Sequence, residues 1–307
     1  MASGRSFKLS SGYSMPAVGL GTWQSKNDEV CQAVKTALEA GYRHIDAAAV
    51  YGNEKQVGDG IKASGVPRSE IFVSFRHSNE TIQPVDAGTG LIDVIDVPIK
   101  DTWAAMERLV EQGKIRTIGV SNFTQAKIEE LANIRPAVNQ IEAHPYLQQR
   151  ELLQWSKDNV RFPSKYKTFG RNCDPGPDPD VLQQIVITGY SPLGNNIYNI
   201  PRAVDDDLVV EVARRLGKTP AQVLISWAVQ RGTVVLPKSI TPERIRSNFD
   251  DFILPEDAFE TIQSLEKHQR MNFPARLGVD IFGEVGEASA RESALAWAAE
   301  QKKLANH

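Results

Sequence analysis

Short β-branched runs alternate with amphipathic helical stretches along most of this 307-residue chain, and that alternation points to repeated βα units around a parallel sheet. Val30, Val34, Ala37 and Leu38 recur at helical spacing, which predicts a helix over about 27–40 that stops at Gly41, with a strand at 44–46 behind it. The same reading places helices at 54–63, 102–112, 127–131, 147–158, 207–216 and 220–230. Strands fall at 71–73, 117–120, 137–141, 185–190 and 234–236. No opposing run of strands interrupts the series, which favours a closed barrel over an open doubly wound sheet. No strand leads into a GxGxxG turn, so a Rossmann-type dinucleotide site is unsupported.

Two stretches break the rhythm. A barrel of ~250 residues in eight units allots ~30 residues to each, yet only 26 separate the strand ending near Ser74 from the helix starting near Asp101. That interval, FRHSNETIQPVDAGTGLIDVIDVPIK, should hold a helix, a strand and their loops; it shows no helical period and one candidate strand at 91–97. The opposite fault lies at 159–184, NVRFPSKYKTFGRNCDPGPDPDVLQQ, polar and rich in Pro and Gly where a short helix-to-strand turn belongs. Its apolar residues Val160, Phe162, Phe169 and Val181 are too few for a core, so the stretch reads as a surface excursion on the N-terminal face. The expected architecture is one α/β domain over 1–307, a TIM-type (β/α)8 barrel incomplete around strand 4. It carries an atypical inserted loop at 159–184 and a C-terminal loop and helix at 270–307. A skipped exon and a translated intron would leave this pattern; a natural barrel that rebuilt its fourth strand from 91–97 is the alternative.

Composition narrows the partners. A net charge of −3 argues against attraction to nucleic acid or an anionic membrane as a main role. Two cysteines, Cys31 and Cys173, cannot make a disulfide framework, and no Cys/His cluster has metal-ligand spacing. The N-terminal MASGRSFKLSSGYSMPAVGL lacks the apolar core of a signal peptide, and no run approaches the ~18 apolar residues of a membrane span. The chain therefore reads as a soluble cytoplasmic monomer that meets small molecules.

The residues suited to chemistry begin at GYRHIDAAAVYGNE, 41–54, which sets Asp46 at the C-terminal end of a strand and Tyr51 in the loop after it. In a barrel, catalytic groups collect on that face. A phenol can give its proton to a carbonyl oxygen, and works better when a nearby cation lowers its pKa. Taken as an isolated pair, Asp46 could equally cap a helix and Tyr51 pack on the surface. Lys238 and Arg244 stand near the start of a later helix, where two cations beside the helix's positive end suit a phosphate dianion; a solvated basic face is the plainer alternative.

Four ordered segments resolve those alternatives. GLGTW at 19–23, the 41–54 segment, GVSNF at 119–123 and LPKSITPERI at 236–245 resemble the signatures of the aldo-keto reductase family, most like its fungal-type glycerol or glyceraldehyde reductases. The similarity covers roughly 7–75, 100–158 and 185–282. It implies NADPH as cofactor, an aldehyde or ketone as the small-molecule substrate, Asp46 as catalytic aspartate and Tyr51 as proton donor. It further assigns Ser121, Asn122 and Gln140 to the nicotinamide carboxamide and Tyr190 to its ring. Ser191 and Leu193 fall at the pyrophosphate, and Lys238, Ser239, Arg244 and Asn248 around the adenosine 2′-phosphate. Gly21, Thr22 and Trp23 belong to the first strand's loop, with Trp23 walling the substrate pocket.

Two family features are altered. Where the family has a lysine after the third strand, this chain has Arg76, whose longer planar head is not an equivalent replacement. The strand-four histidine followed by Trp-Pro is absent; His44, His77, His144, His268 and His307 all lie elsewhere. The expected activity is NADPH-dependent reduction of polyol-related carbonyls by an impaired catalytic set. A nucleotide-binding protein with impaired catalysis, or a poorly folding variant, is the alternative.

Overall fold

The computed structural model describes residues 5–76, 86, 88–93, 97–131, 135–158, 184–195, 200–272 and 277–305. An antiparallel hairpin opens the chain, β1 (Ser6–Lys8) with β2 (Ser14–Pro16). The alternating series follows as β3 (Leu20–Gly21), α1 (Asn27–Glu39), β4 (His44–Ala48), α2 (Glu54–Ser64), β5 (Phe72–Arg76) and α3 (Ile99–Glu111). It continues with β6 (Val120–Ser121), α4 (Gln125–Glu129), β7 (Val138–Glu142), α5 (Arg150–Asp158) and β8 (Val186–Tyr190). Then come α6 (Asp207–Leu216), α7 (Pro220–Gln230), β9 (Val234–Val235), α8 (Pro242–Phe249), α9 (Glu256–Gln263) and α10 (Glu287–Ala305).

Local chemistry accounts for the boundaries. Caps set several helix starts: Glu29 accepts from the Lys26 amide at α1, Thr124 from the Lys127 amide at α4 and Asp206 from the Leu208 amide at α6, and the reciprocal Thr219/Gln222 pair caps α7, which Pro220 opens. Gly65 and Gly217 close α2 and α6 in the left-handed region. α1 and α2 pack closely: a Cβ on Gly60 would lie 2.6 Å from the Cys31 carbonyl oxygen and 2.9 Å from Val34 Cβ. α7 is apolar nearly all round and sits in the main core, where Leu224, Ile225 and Trp227 are fully enclosed.

The strands form two parallel sheets, β3-β4-β5 and β6-β7-β8-β9. Bridges Val18–Val235 and Gly21–Lys238 join them, supported by Val235 N–H to Ala17 O at 2.8 Å and Gly19 N–H to Val235 O at 2.9 Å. Among the described residues, seven parallel strands thus run in the order β6-β7-β8-β9-β3-β4-β5, no strand joins β5 to β6, and the barrel they form is not closed there. In the candidate strand at 91–97, residues 94–96 lie outside the described set and the others belong to no named strand. The stretch at 159–184 lies outside the described residues except for Gln184. The hairpin departs from the expected absence of opposing strands: it is a separate element, whose buried Met15 packs with Ala137, Val186 and Val234 near the starts of β7, β8 and β9. No described helix is long and apolar enough to cross a membrane, and no described cluster of His, Cys, Asp or Glu could hold a metal ion.

Candidate active site

Strand register assembles the site. β4 pairs with β5 so that Asp46 lies opposite Ser74 and Ala48 opposite Arg76. With side chains alternating across a strand, Asp46, Ser74 and Arg76 share a face. The buried Asp46 carboxylate accepts hydrogen bonds from Ser74 Oγ at 2.7 Å and from Gln140 Nε2, on β7, at 2.9 Å. Arg76 Nη2 lies 3.8 Å from the same carboxylate and donates to the Tyr51 hydroxyl, with its guanidinium carbon 5.5 Å from the ring centroid. Tyr51 ends a short 3-10 turn, Ala49–Tyr51, followed by left-handed Gly52 at φ 65°. Buried Asn53 then ties that turn to the loop after β3, its Nδ2 donating to Thr22 O at 3.0 Å and Ser25 O at 3.3 Å. Thr22 Oγ1 in turn donates to the Asp46 backbone carbonyl at 2.8 Å.

Arg76, expected in the catalytic set with Asp46 and Tyr51 though not as an equivalent of lysine, is placed by β5 one strand from the tyrosine's own loop, and its length lets it reach the hydroxyl. Burial pushes the Tyr51 phenol up to about 12; Arg76 pulls it down and Asp46 pushes it up. Since a guanidinium only donates, the phenol oxygen accepts and its own proton is free for another acceptor. Arg76 Nε is buried without a partner.

The residues expected around a nicotinamide surround Gln140. Ser121 Oγ and the Asn122 amide both donate to the Gln140 backbone carbonyl, each at 2.9 Å. Asn122 holds a left-handed φ of 59°, and its Oδ1 accepts from the Tyr190 hydroxyl at 3.0 Å. Burial pushes the Tyr190 phenol well above its ordinary value, and nearby Glu142 adds to that. Gln140 Oε1 is buried with no partner, an orphaned acceptor that fits the N–H of a carboxamide.

The rim is formed by Trp23, 39% exposed, and by Ser191, whose Oγ accepts from Asn272 at 3.1 Å. Leu193 packs on the main core. A Cβ on Gly21 would lie 3.1 Å from the Leu236 carbonyl, so β3 approaches the 236–238 segment closely. Lys238 and Arg244 are exposed and have no ion-pair partner among the described residues; Ser239 Oγ accepts from the Thr241 amide at 3.1 Å, and Asn248 is buried. Two free cations at the start of α8 fit a phosphate group.

No described histidine hydrogen-bonds Tyr51. His44 Nε2 is 3.1 Å from Ser74 Oγ, His144 pairs with Glu142, and the His268 side chain is exposed. His77 and His307 lie outside the described residues. Ser74 and Glu142 were not foreseen, though period-two spacing placed them on the strand faces of Arg76 and Gln140.

A family model described as the aldo/keto reductase family matches residues 17–89 and 77–267. The "Uncharacterized oxidoreductase C26F1.07" of Schizosaccharomyces pombe is 38% identical over 313 positions, covering 87% of this chain and 90% of the relative. The "D/L-glyceraldehyde reductase" of Hypocrea jecorina is 33% identical, covering 96% of this chain and 99% of its own length. That alignment runs over 353 positions, more than this chain's 307 residues, so the relative holds residues with no counterpart here. Among solved structures, the aldose reductase of Schistosoma japonicum superposes with a TM-score of 0.72 at 29% identity, covering 87% of this chain and 94% of that one. The parallel barrel strands, the ordered motifs and these matches agree that the chain belongs to the aldo/keto reductase family of oxidoreductases.

Proposed function

We propose that this protein reduces aldehydes and related small carbonyls, glyceraldehyde among them, with NADPH, and that Tyr51 is the proton donor. The observation that carries the reading is the joined set Asp46, Tyr51 and Arg76 beside the orphaned Gln140 acceptor. Ser121, Asn122, Gln140 and Tyr190 would hold the nicotinamide, Gly21, Thr22, Trp23, Ser191 and Leu193 would line its approach, and Lys238, Ser239, Arg244 and Asn248 would hold the 2′-phosphate. When bound, the dihydronicotinamide supplies a hydride to the carbonyl carbon. The neutral Tyr51 phenol hydrogen-bonds the carbonyl oxygen and gives up its proton as negative charge develops there. Arg76 stabilises the tyrosinate that results, and Asp46, held by Ser74 and Gln140, balances the guanidinium.

Turnover in this chain is slow on the same reading. No described histidine supplies a second donor to the carbonyl, a loss typically worth ~10²–10⁴-fold. Among the described residues, no strand lies between the sheet edges at β5 and β6, whose backbone groups then lack a strand partner. The test measures NADPH oxidation with glyceraldehyde for this chain, for Tyr51→Phe, and for the chain with a family-type lysine and His-Trp-Pro strand grafted between 75 and 100. The expected result is weak activity, lost in Y51F and raised at least ~10²-fold by the graft. Absence of NADPH binding would overturn the reading, and equal kcat/KM with and without the graft would remove the impairment.

A further inference from the structure

We propose that Glu142 is a positioning residue: its buried carboxylate pins the chain at 270–272, which in turn holds the Tyr190–Asn195 turn at the site rim. Glu142 ends β7 two residues after Gln140, and its side chain is fully buried. The carboxylate accepts from the Met271 amide at 2.7 Å, from the Asn272 amide at 3.1 and 3.2 Å, from His144 Nε2 at 3.0 Å and from Arg270 Nη1 at 3.3 Å. Burial alone would push this carboxyl up, but the His144, Met271 and Arg270 contacts outweigh it and hold the group below its ordinary value.

From there the linkage runs outward in two directions. Asn272 Nδ2 donates to Ser191 Oγ at 3.1 Å and its Oδ1 accepts from Asn195 Nδ2, while the Asn195 amide faces Met271 Sδ at 3.4 Å. Arg270 stacks over the Phe282 ring at 3.6 Å and pairs with Glu284. The turn that Asn272 touches needs outside support. Ser191 sits in the left-handed region at φ 51°, uncommon for a residue with a Cβ, and Gly194 at φ 77° is packed so that a Cβ would lie 2.7 Å from the Ala203 amide nitrogen. Four donors converge on two oxygens, which a carboxylate satisfies and a carboxamide cannot, because its NH₂ would face N–H groups.

The role at the cofactor rim rests on the proposed reductase function, whereas the linkage itself does not, and the experiment separates them. Amide hydrogen exchange is measured for the wild type, Glu142→Gln and Asn272→Ala. E142Q is expected to speed exchange about tenfold or more in both 270–272 and 190–195, while amides of α7 stay protected. N272A should loosen 190–195 and leave the Met271 amide protected, and it decides the matter if E142Q fails to fold. Unchanged protection at 190–195 in the folded variants overturns the linkage. NADPH fluorescence titration then reads the rim: a rise in Kd of about tenfold in both variants supports the positioning role, and an unchanged Kd with loosened exchange overturns it. If the wild type binds no NADPH, the reductase reading fails and exchange alone judges the linkage.

Discussion

His44 makes the stability of this protein depend on pH in a way that can be worked out from its surroundings. It is fully buried on β4, with Nδ1 3.3 Å from the Pro16 carbonyl and Nε2 3.1 Å from Ser74 Oγ. Ser74 gives its single proton to Asp46, so Nε2–H donates to Ser74 in the neutral tautomer we assign. Burial pushes the ring down to about 4 from an ordinary value of 6.5, against the opposing pull of Asp46 and the Pro16 carbonyl. The unfolded chain therefore takes up a proton below pH 6.5, and the native chain does so only near pH 4. This contribution is whole above pH 6.5 and is lost as pH falls, at up to about 1.4 kcal/mol per pH unit and about 3 kcal/mol in all by pH 4. Urea unfolding of the wild type and of His44→Gln from pH 7.5 to 4 isolates it, because the variant has no group at this position that titrates there. The stability difference between the two should shift against the wild type by about 3 kcal/mol over that range. A difference that stays constant with pH, or a native His44 ring that titrates near 6.5 by NMR, would refute the reasoning.

Two further perturbations probe the cofactor end and the helix layer. Arg244→Ala should cost about 1.5–3 kcal/mol of NADPH affinity and leave NADH nearly unchanged in parallel fluorescence titrations, because only NADPH carries the 2′-phosphate; equal losses for both would remove the role given to Arg244. Gly60→Ala should destabilise the fold by about 1–3 kcal/mol in chemical denaturation, since the new methyl meets the Cys31 carbonyl at 2.6 Å between two packed helices; an unchanged midpoint would mean that α1 and α2 part at no cost.

Much of the architecture was legible in the residue pattern. Helical spacing located α1, α2, α6 and α7 to within about a residue at each end, because α1, α2 and α6 bury one face, α7 is an apolar run bounded by polar residues, and each carries its own cap or stop. The short interval between 75 and 100 pointed, by length alone, to the place where the described sheet is not closed. Where tertiary pairing dominates, the pattern said less: strand 117–120 narrows to Val120–Ser121, and helix 147–158 begins only at Arg150. The hairpin at 6–16 carries no βα signal and is held by burial of Met15 under three later strands.

The site divides in the same way. Motif order singled out Asp46, Tyr51, Arg76, Gln140 and the Lys238–Arg244 pair, since those residues lie in short contiguous segments whose chemistry can be read locally. Contact between segments depends on register, and register is set by the whole sheet. Only the pairing of Ala48 with Arg76 brings that guanidinium to Tyr51, and only the approach of β7 to β4 sets the Gln140 amide on Asp46. Glu142 and Met271 stand 129 residues apart, and no spacing rule connects them. The sequence by itself singled out which residues could do chemistry and that the interval at 75–100 is too short for a full barrel unit, because both are local properties of composition and length. The tertiary structure alone decided how the two sheets join, through the Val18–Val235 and Gly21–Lys238 pairings, and which residues of distant segments meet at the site.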